Sequence, residues 1–230
     1  KIFRLQKKKH FSLIQKQYKQ KFRKEYQGKV IFPKIRNYKK LKTKIKNSYI
    51  RSNINDENMS FVLALSECLK IKKKTFVKSL NTFRGLPHRY EVFLKKKNFI
   101  FVNDSKATSF QSSKLALQNS NNIFWILGGL PKKNDKIKLK NLKKNIIRSY
   151  IIGKNTHFFK KQIKNKINYC VSKTLKNSLI QIFKDIQPYN SVDKTILLSP
   201  SAASYDQYLN FEKRGEEFKK LSKYYARKFI

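Results

Sequence analysis

Five short apolar runs constrain the fold of this chain more than any other feature of its sequence. Their residues do not alternate between apolar and polar types, so both faces of each run are expected to be buried. Helical patterns separate most of the runs, which indicates strands joined by helices. We therefore predict an α/β fold, a Rossmann-like and mostly parallel sheet with helices on both faces. The predicted strands are residues 99–102, 123–127, 150–152, 167–171 and 196–198.

The helical predictions rest on apolar residues that recur every three or four positions. Near the start of the chain, residues 11–18 fit a helix and residues 29–32 fit a short strand closed by Pro33. Gly85 is a stop signal after the second of two adjacent predicted helices. The other predicted helices are residues 59–70, 76–83, a stretch that begins at 112–117, 175–183 and 212–230.

The net charge is the most extreme property of the composition. The chain has 55 Lys and Arg residues against 13 acids, a formal charge of +42. Such a charge fits a polyanion partner, because neutralised phosphates release counterions. However, the lysines are spread over every segment instead of forming one stripe. The composition is also rich in Asn, Ile, Phe and Tyr. Compositional drift therefore explains the charge better than specific binding to nucleic acid.

Cysteine content and hydropathy narrow the class of protein further. Cys68 and Cys170 lie in apolar surroundings without a metal-type spacing, which fits a reduced, cytoplasmic compartment. No apolar run approaches the roughly 20 residues that a membrane-spanning helix needs. The chain begins with Lys1, so we expect it to be a fragment or a processed product.

Residues 103–108 follow a predicted strand, and all of them are polar except for one alanine. Asp104 can accept hydrogen bonds from ribose hydroxyls, and Lys106 can meet a carboxylate or a phosphate. Ser105 and Thr108 are candidates to cap the next helix, whose N-terminus attracts anions. An ordinary strand-to-helix turn would have the same composition, so this motif alone leaves both interpretations open.

Two more polar segments follow predicted elements. Arg89, in the turn of residues 85–91, presents a guanidinium fork suited to phosphate or carboxylate. We interpret the adjacent His88 as a structural hydrogen-bonding residue. Residues 198–206 combine small residues and hydroxyls that let a backbone approach a ligand. The chain contains no GxxxxGK[ST], GxGxxG, HExxH or GxSxG motif.

In their order and spacing these segments resemble the Mur ligases, and within that family the members that add D-glutamate. The resemblance covers roughly residues 53–230. The relatives that add meso-diaminopimelate carry an Asp-Asn-Pro-Arg motif, which this sequence lacks. Folylpolyglutamate synthase shares the architecture. The segments are residues 83–91, 103–108, 127–129, 197–206 and 210–215.

The resemblance implies an ATP-dependent amide ligase of peptidoglycan synthesis. ATP phosphorylates the carboxylate of UDP-N-acetylmuramoyl-L-alanine, and the amine of D-glutamate then attacks the acyl phosphate. By resemblance, the ATP-binding residues are Asn55, Asn58, Arg89 and Asp104. The D-glutamate-binding residues implied in the same way are Lys106, Thr108, Lys132, Ser204, Tyr205 and Phe211. No catalytic residue is assigned within the chain.

The resemblance also predicts a domain organisation. Residues 1–52 would be the tail of a central ATP-binding domain, and residues 53–230 the C-terminal domain. The phosphate loop, the Mg²⁺ ligands and the modified lysine of the family would lie upstream of Lys1. We therefore expect the piece to be inactive alone. We also expect it to be a monomer. The alternatives are a sister Mur-type or folylpolyglutamate ligase with another amino-acid substrate, and a basic nucleic-acid-binding module.

Overall fold

The computed structural model describes residues 2–186 and 192–230. The chain divides into two compact units, Lys1–Gly85 and Leu86–Ile230. The boundary predicted between residues 52 and 53 falls inside the first unit. Because a compact unit and a family domain need not share a boundary, the assignment of residues 53–230 to one family domain stays a prediction.

The first unit contains a short parallel strand pair, β1 (Phe11–Leu13) and β2 (Lys29–Ile31), and four helices. The helix predicted at residues 11–18 is wrong. Strand pairing takes up residues 11–13 and only a single 3₁₀ turn follows, Lys16–Tyr18, because tertiary pairing overrides local helical periodicity. The helices are α1 (Ile35–Lys42), α2 (Ser48–Arg51), α3 (Asp56–Cys68) and α4 (Lys73–Thr82).

A small apolar core holds these helices together. Tyr38 of α1 is fully buried, and its hydroxyl donates a hydrogen bond to the carbonyl of Ile50 at 3.0 Å. Lys42 forms an ion pair of 2.6 Å with Asp56 at the start of α3. Burial of apolar side chains therefore joins α1, α3 and α4. The core residues are Tyr38, Ile45, Ile50, Met59, Leu63, Phe76 and Leu80.

The second unit is built on a six-stranded sheet, which confirms the predicted fold class. Its spatial order is β3-β4-β8-β5-β6-β7, and every pair is parallel except β3 with β4. Sequence patterns missed β3, because it forms an edge hairpin with β4 and its residues are mostly half-exposed. The strands are β3 (Glu91–Lys96), β4 (Phe99–Asn103), β5 (Ile123–Gly128), β6 (Ile146–Ile152), β7 (Tyr169–Lys173) and β8 (Lys194–Leu198).

Helices cover both faces of this sheet. Alternate residues of β5 enter opposite cores: Trp125 packs on the face of α5 and α6, and Phe124 on the face of α7 and α8. Both residues are fully buried, which explains why the central strands are continuously apolar. The helices are α5 (Phe110–Gln118), α6 (Thr156–Ile163), α7 (Leu175–Asp185) and α8 (Phe211–Phe229).

The position of β8 determines where polar loops meet. β8 lies between β4 and β5, so three strands from distant parts of the chain end side by side. Asn103 pairs with Leu198, and Leu198 pairs with Ile126, at this carboxyl edge. Ligands of open α/β sheets bind at such an edge. Within the described residues, no helix combines the length and apolar character needed to cross a bilayer.

Candidate ligand-binding site

Backbone hydrogen bonds extend the sheet into the loops that follow β4, β5 and β8. The amide of Asp104 donates to the carbonyl of Leu198 at 2.8 Å, and Gly128 donates to Pro200 at 2.9 Å. Beyond them, Leu130 and Ala203 exchange two hydrogen bonds of 2.9 Å. The loops that follow these three strands are thus held against one another at one edge of the sheet.

Asp104 is the buried acid of this edge. Its Oδ1 accepts a hydrogen bond from the backbone amide of Tyr90 at 3.1 Å, and its Oδ2 accepts one from the Ser199 hydroxyl at 2.6 Å. Burial raises the pKa of Asp104 to about 7, although the two hydrogen bonds and the nearby charge of Arg89 act in the opposite direction. The carboxyl group is therefore fixed in position and titrates near neutral pH.

A second polar network lies beside Asp104. The Asn103 amide nitrogen lies 2.9 Å from Nδ1 of His88 and 3.1 Å from Oε2 of Glu91. Glu91 also pairs with Lys219 of α8 at 2.5 Å. Burial opposes ionisation of Glu91, but the bonds from Lys219 and the backbone of His88 lower its pKa overall. The interpretation of His88 as a structural hydrogen-bonding residue is confirmed, since its ring is buried against α8.

His88 fits against α8 because residue 215 has no side chain. A Cβ atom on Gly215 would lie 2.1 Å from Nδ1 of His88 and 3.0 Å from the amide nitrogen of Asn103. The left-handed backbone of His88, with φ at 62°, turns the ring toward the helix. The loop before β3 is therefore held against α8, close to the start of that helix.

Several hydrogen-bond donors at this edge have no protein acceptor. Nζ of Lys106 lies 3.7 Å from the centroid of the Phe211 ring. Among the described residues, the side chains of Lys106, Thr108, Lys132 and Ser204 form neither a hydrogen bond nor an ion pair. Ser204 is nevertheless only 2% exposed, and its carbonyl accepts bonds from Gln207 and Tyr208. Two cations and two hydroxyls at this edge are thus without a protein acceptor among the described residues.

Sequence comparison with known proteins shows the family of this chain. The chain is 39% identical over 165 residues to the UDP-N-acetylmuramoylalanine–D-glutamate ligase of Wolbachia sp. subsp. Brugia malayi, covering 71% of the chain. It is 34% identical over 177 residues, or 77% of the chain, to the ligase of the same name from Rickettsia felis. The chain belongs to the Mur ligase family. No protein-family model matches the chain.

This Mur ligase chain spans well under half the length of the curated relatives it matches. It covers 33% of the Wolbachia protein and 39% of the Rickettsia protein. Solved structures agree on the fold. MurF from Acinetobacter baumannii superposes with a TM-score of 0.54 at 16% identity, over 74% of this chain and 38% of that one. The MurC ligase of Thermotoga maritima has a TM-score of 0.51 at 14% identity, over 74% and 37%.

The predicted D-glutamate residues of the Mur ligase chain all lie in loops at the carboxyl edge or at the start of α8. Tyr205 is 71% exposed, so its side chain has little contact with the protein. The predicted ATP-binding residues are divided between the two units. Arg89 and Asp104 belong to the second unit, whereas Asn55 and Asn58 belong to the first, at the start of α3. The assignment of the two asparagines to the adenine side stays a prediction.

The capping prediction for Ser105 and Thr108 is wrong. Ser109 is the N-cap of α5, and its hydroxyl accepts a hydrogen bond from the amide of Ser112. Ser105 instead faces α8, where its hydroxyl donates to the carbonyl of Phe211 at 2.8 Å. Because α5 begins only at Phe110, Ser109 and not Ser105 or Thr108 occupies the capping position.

Sequence reasoning missed Arg214 of this Mur ligase. Its guanidinium is 1% exposed, and it donates to the carbonyls of Ser105 and Ala202. A signal was present in the sequence, because Arg214 shares a helical face with Phe218, four residues later. A cation on the buried face of an amphipathic helix indicates a specific buried partner.

Proposed function

We propose that this chain forms the D-glutamate-binding part, with the ribose contact for ATP, of a ligase that adds D-glutamate to UDP-N-acetylmuramoyl-L-alanine in the cytoplasm. The reaction would join the alanyl carboxylate to the amine of D-glutamate, and ATP would be converted to ADP and phosphate. The curated relatives carry this activity in their names.

The observation that carries the proposal is the set of unpaired donors at the carboxyl edge. D-glutamate has two carboxylates, and each needs cationic or hydroxyl partners when it leaves water. Lys106 and Lys132 supply charge, and Thr108 and Ser204 supply hydroxyls. The Phe211 ring holds Lys106 by a cation–π contact without neutralising it. In this proposal the exposed Tyr205 contributes through its backbone.

Asp104 fits a ribose contact. A carboxylate has about four lone-pair sites, and the hydrogen bonds from Tyr90 and Ser199 occupy two of them. The remaining sites are available to the two adjacent hydroxyls of a ribose. Arg89 follows His88 in an exposed turn, where its guanidinium suits a phosphate. Both contacts agree with ATP as the nucleotide.

The proposed reaction also uses Mg²⁺ as a cofactor. Among the described residues, no three metal-binding side chains from His, Cys, Asp or Glu lie together. From the family resemblance, we propose that residues outside this chain hold the ion. We also propose, from the same family resemblance, that the protein is a monomer.

The test uses the protein expressed from the complete reading frame that encodes this chain. ADP release should require both UDP-N-acetylmuramoyl-L-alanine and D-glutamate, and the product should gain the mass of one glutamyl residue. The 230-residue chain alone should show no turnover. ADP release that ignores D-glutamate would contradict the proposal.

Amino-acid competition separates this ligase from its sisters. D-glutamate, L-glutamate and meso-diaminopimelate are offered together at equal concentration, and the products are separated by mass. Incorporation of D-glutamate alone supports the proposed specificity. Preferred incorporation of either competitor would assign the chain to a sister ligase of the same architecture.

A further inference from the structure

Arg214 is the most deeply buried cation at the carboxyl edge that the proposed function leaves without a role. It lies in the first turn of α8 and is 1% exposed. Burial lowers the pKa of its guanidinium to about 10, so the group stays charged at neutral pH. Among the described residues, no carboxylate lies within ion-pair distance of it. Such a charge is costly to bury. Its Nε and Nη2 form hydrogen bonds and the nearby charge of Asp206 favours the ionised form, whereas Nη1 has no hydrogen-bond partner among the described residues.

Those hydrogen bonds join segments that are far apart in the chain. Nε of Arg214 donates to the Ser105 hydroxyl at 3.0 Å, and Nη2 donates to the Ser105 carbonyl at 2.8 Å. Nη2 also donates to the carbonyl of Ala202 at 3.0 Å. The Ser105 hydroxyl in turn donates to Phe211, at the start of α8. One planar fork therefore bridges the loops after β4 and β8 and ties both to the helix.

A third loop packs directly on the same group. A Cβ atom at Gly129, in the loop after β5, would lie 3.2 Å from Nη1 of Arg214 and 2.3 Å from the carbonyl of Ala203. Gly129 also has φ at 130°, which favours glycine. The loop that leads to Lys132 can thus approach the guanidinium only because residue 129 has no side chain.

The segments that meet at Arg214 are the ones that carry the predicted D-glutamate residues. Ser105 directly precedes Lys106, Ala202 lies two residues before Ser204, and Gly129 lies three residues before Lys132. Phe211 itself begins α8. By contrast, Asp104 is held by Tyr90 and Ser199, neither of which Arg214 bonds. The contacts of Arg214 therefore favour the amino-acid pocket over the ribose contact.

We propose that Arg214 is a positioning residue for the D-glutamate pocket, holding the three strand-end loops and the start of α8 in the arrangement that aims their donors at one dicarboxylate. This inference rests on the proposed function. Lysine cannot replace the guanidinium, because a single ammonium on a flexible stem cannot bond Ser105 and Ala202 in the fork geometry.

The test is Arg214→Lys in the protein expressed from the complete reading frame. We expect KM for D-glutamate to rise about tenfold or more, with KM for ATP changed less than about threefold. Arg227→Lys is the matched control, since Arg227 is an exposed arginine of the same helix, and it should leave both constants unchanged. Equal changes in the two KM values, or a loss of kcat alone, would overturn the inference.

A second variant keeps the inference testable if Arg214→Lys does not fold. Ser105→Ala removes the hydroxyl that bonds both Arg214 and Phe211, and it should raise KM for D-glutamate selectively, by a smaller factor. Its control is Ser178→Ala, a buried serine of α7 whose hydroxyl bonds the carbonyl of Leu175. An unchanged KM for D-glutamate in Ser105→Ala would contradict the positioning role.

The two proposals fail in different ways. If the unaltered protein releases ADP without any dependence on D-glutamate, the proposed function is wrong and the positioning role falls with it. If the unaltered protein is D-glutamate-dependent and both variants lose ATP and D-glutamate affinity alike, only the positioning role is wrong. When both variants fold, a double-mutant cycle between Arg214→Lys and Ser105→Ala should show non-additive effects on KM, because the residues share a hydrogen bond.

Discussion

Nζ of Lys106 lies 3.7 Å from the centroid of the Phe211 ring, so a residue that follows β4 contacts the first residue of α8. The ring faces the ammonium group and restricts its motion, while no carboxylate among the described residues neutralises it. In the proposed function, this arrangement would orient a cation toward the acidic ligand before the ligand binds.

Lys106→Ala in the complete protein should raise KM for D-glutamate by at least about tenfold, or roughly 1.4 kcal/mol, and leave KM for ATP nearly unchanged. The reason is that, in the proposed function, the ammonium of Lys106 would contact a substrate carboxylate and not the nucleotide. Steady-state kinetics with each substrate varied in turn checks this. Lys176→Ala, an exposed lysine of α7, is the control. A matching rise in both KM values would count against the role of Lys106.

Asp104→Asn should change how stability depends on pH. Burial raises the pKa of Asp104 from 3.8 to about 7, so the folded state keeps a proton that the unfolded chain has already released. The stability that this proton contributes is complete below about pH 4 and is lost as the pH rises toward 7.

The measurement is denaturant unfolding of Asp104→Asn and the unaltered chain at pH 4.5 and 7.5. The unaltered chain should lose up to about 3 kcal/mol more than the variant between the two pH values. Comparing the two proteins cancels the general effect of pH on the other charges. Parallel losses of stability would show that Asp104 does not titrate in this range.

Gly215→Ala should destabilise the second unit by about 1–3 kcal/mol, although alanine normally favours a helix interior over glycine by about 1 kcal/mol. The new Cβ would lie 2.1 Å from Nδ1 of His88. Urea unfolding gives the loss, and the same substitution in a His88→Ala background is the control. There the ring is gone, so the loss should shrink or change sign. An equal loss in both backgrounds would mean that the His88 contact is not the cause.

Two ion pairs should differ in their effect on local stability. Asp56→Asn removes the partner of the largely buried Lys42 and should cost roughly 1–3 kcal/mol. Glu216→Gln breaks an exposed pair with Lys213, where both side chains are more than half exposed, and should have no measurable effect. Native-state hydrogen exchange in α3 and α8, respectively, checks each. A comparable change in both helices would contradict the dependence on burial.

Most strands of the second unit were predictable because their burial on both faces requires continuous apolar runs. The run at residues 123–127 corresponds to β5, and the run at 196–198 to β8. β3 was not predictable in the same way, since an edge strand with one exposed face has no such run. The helix predicted at 11–18 failed for a related reason, because its residues are stabilised as a strand by partners at 29–31.

The candidate site shows the same division between local and tertiary information. Sequence alone determined which polar segments follow strands, and so which side chains, Asp104 and Lys106 among them, reach the carboxyl edge. Only the tertiary structure decided that β8 lies between β4 and β5, that Ser105 faces α8 and not α5, and that Arg214 joins the loops. The physical reason is that strand periodicity is encoded by neighbouring residues. Strand order and the partners of a buried guanidinium depend on contacts between residues up to 109 positions apart in the chain.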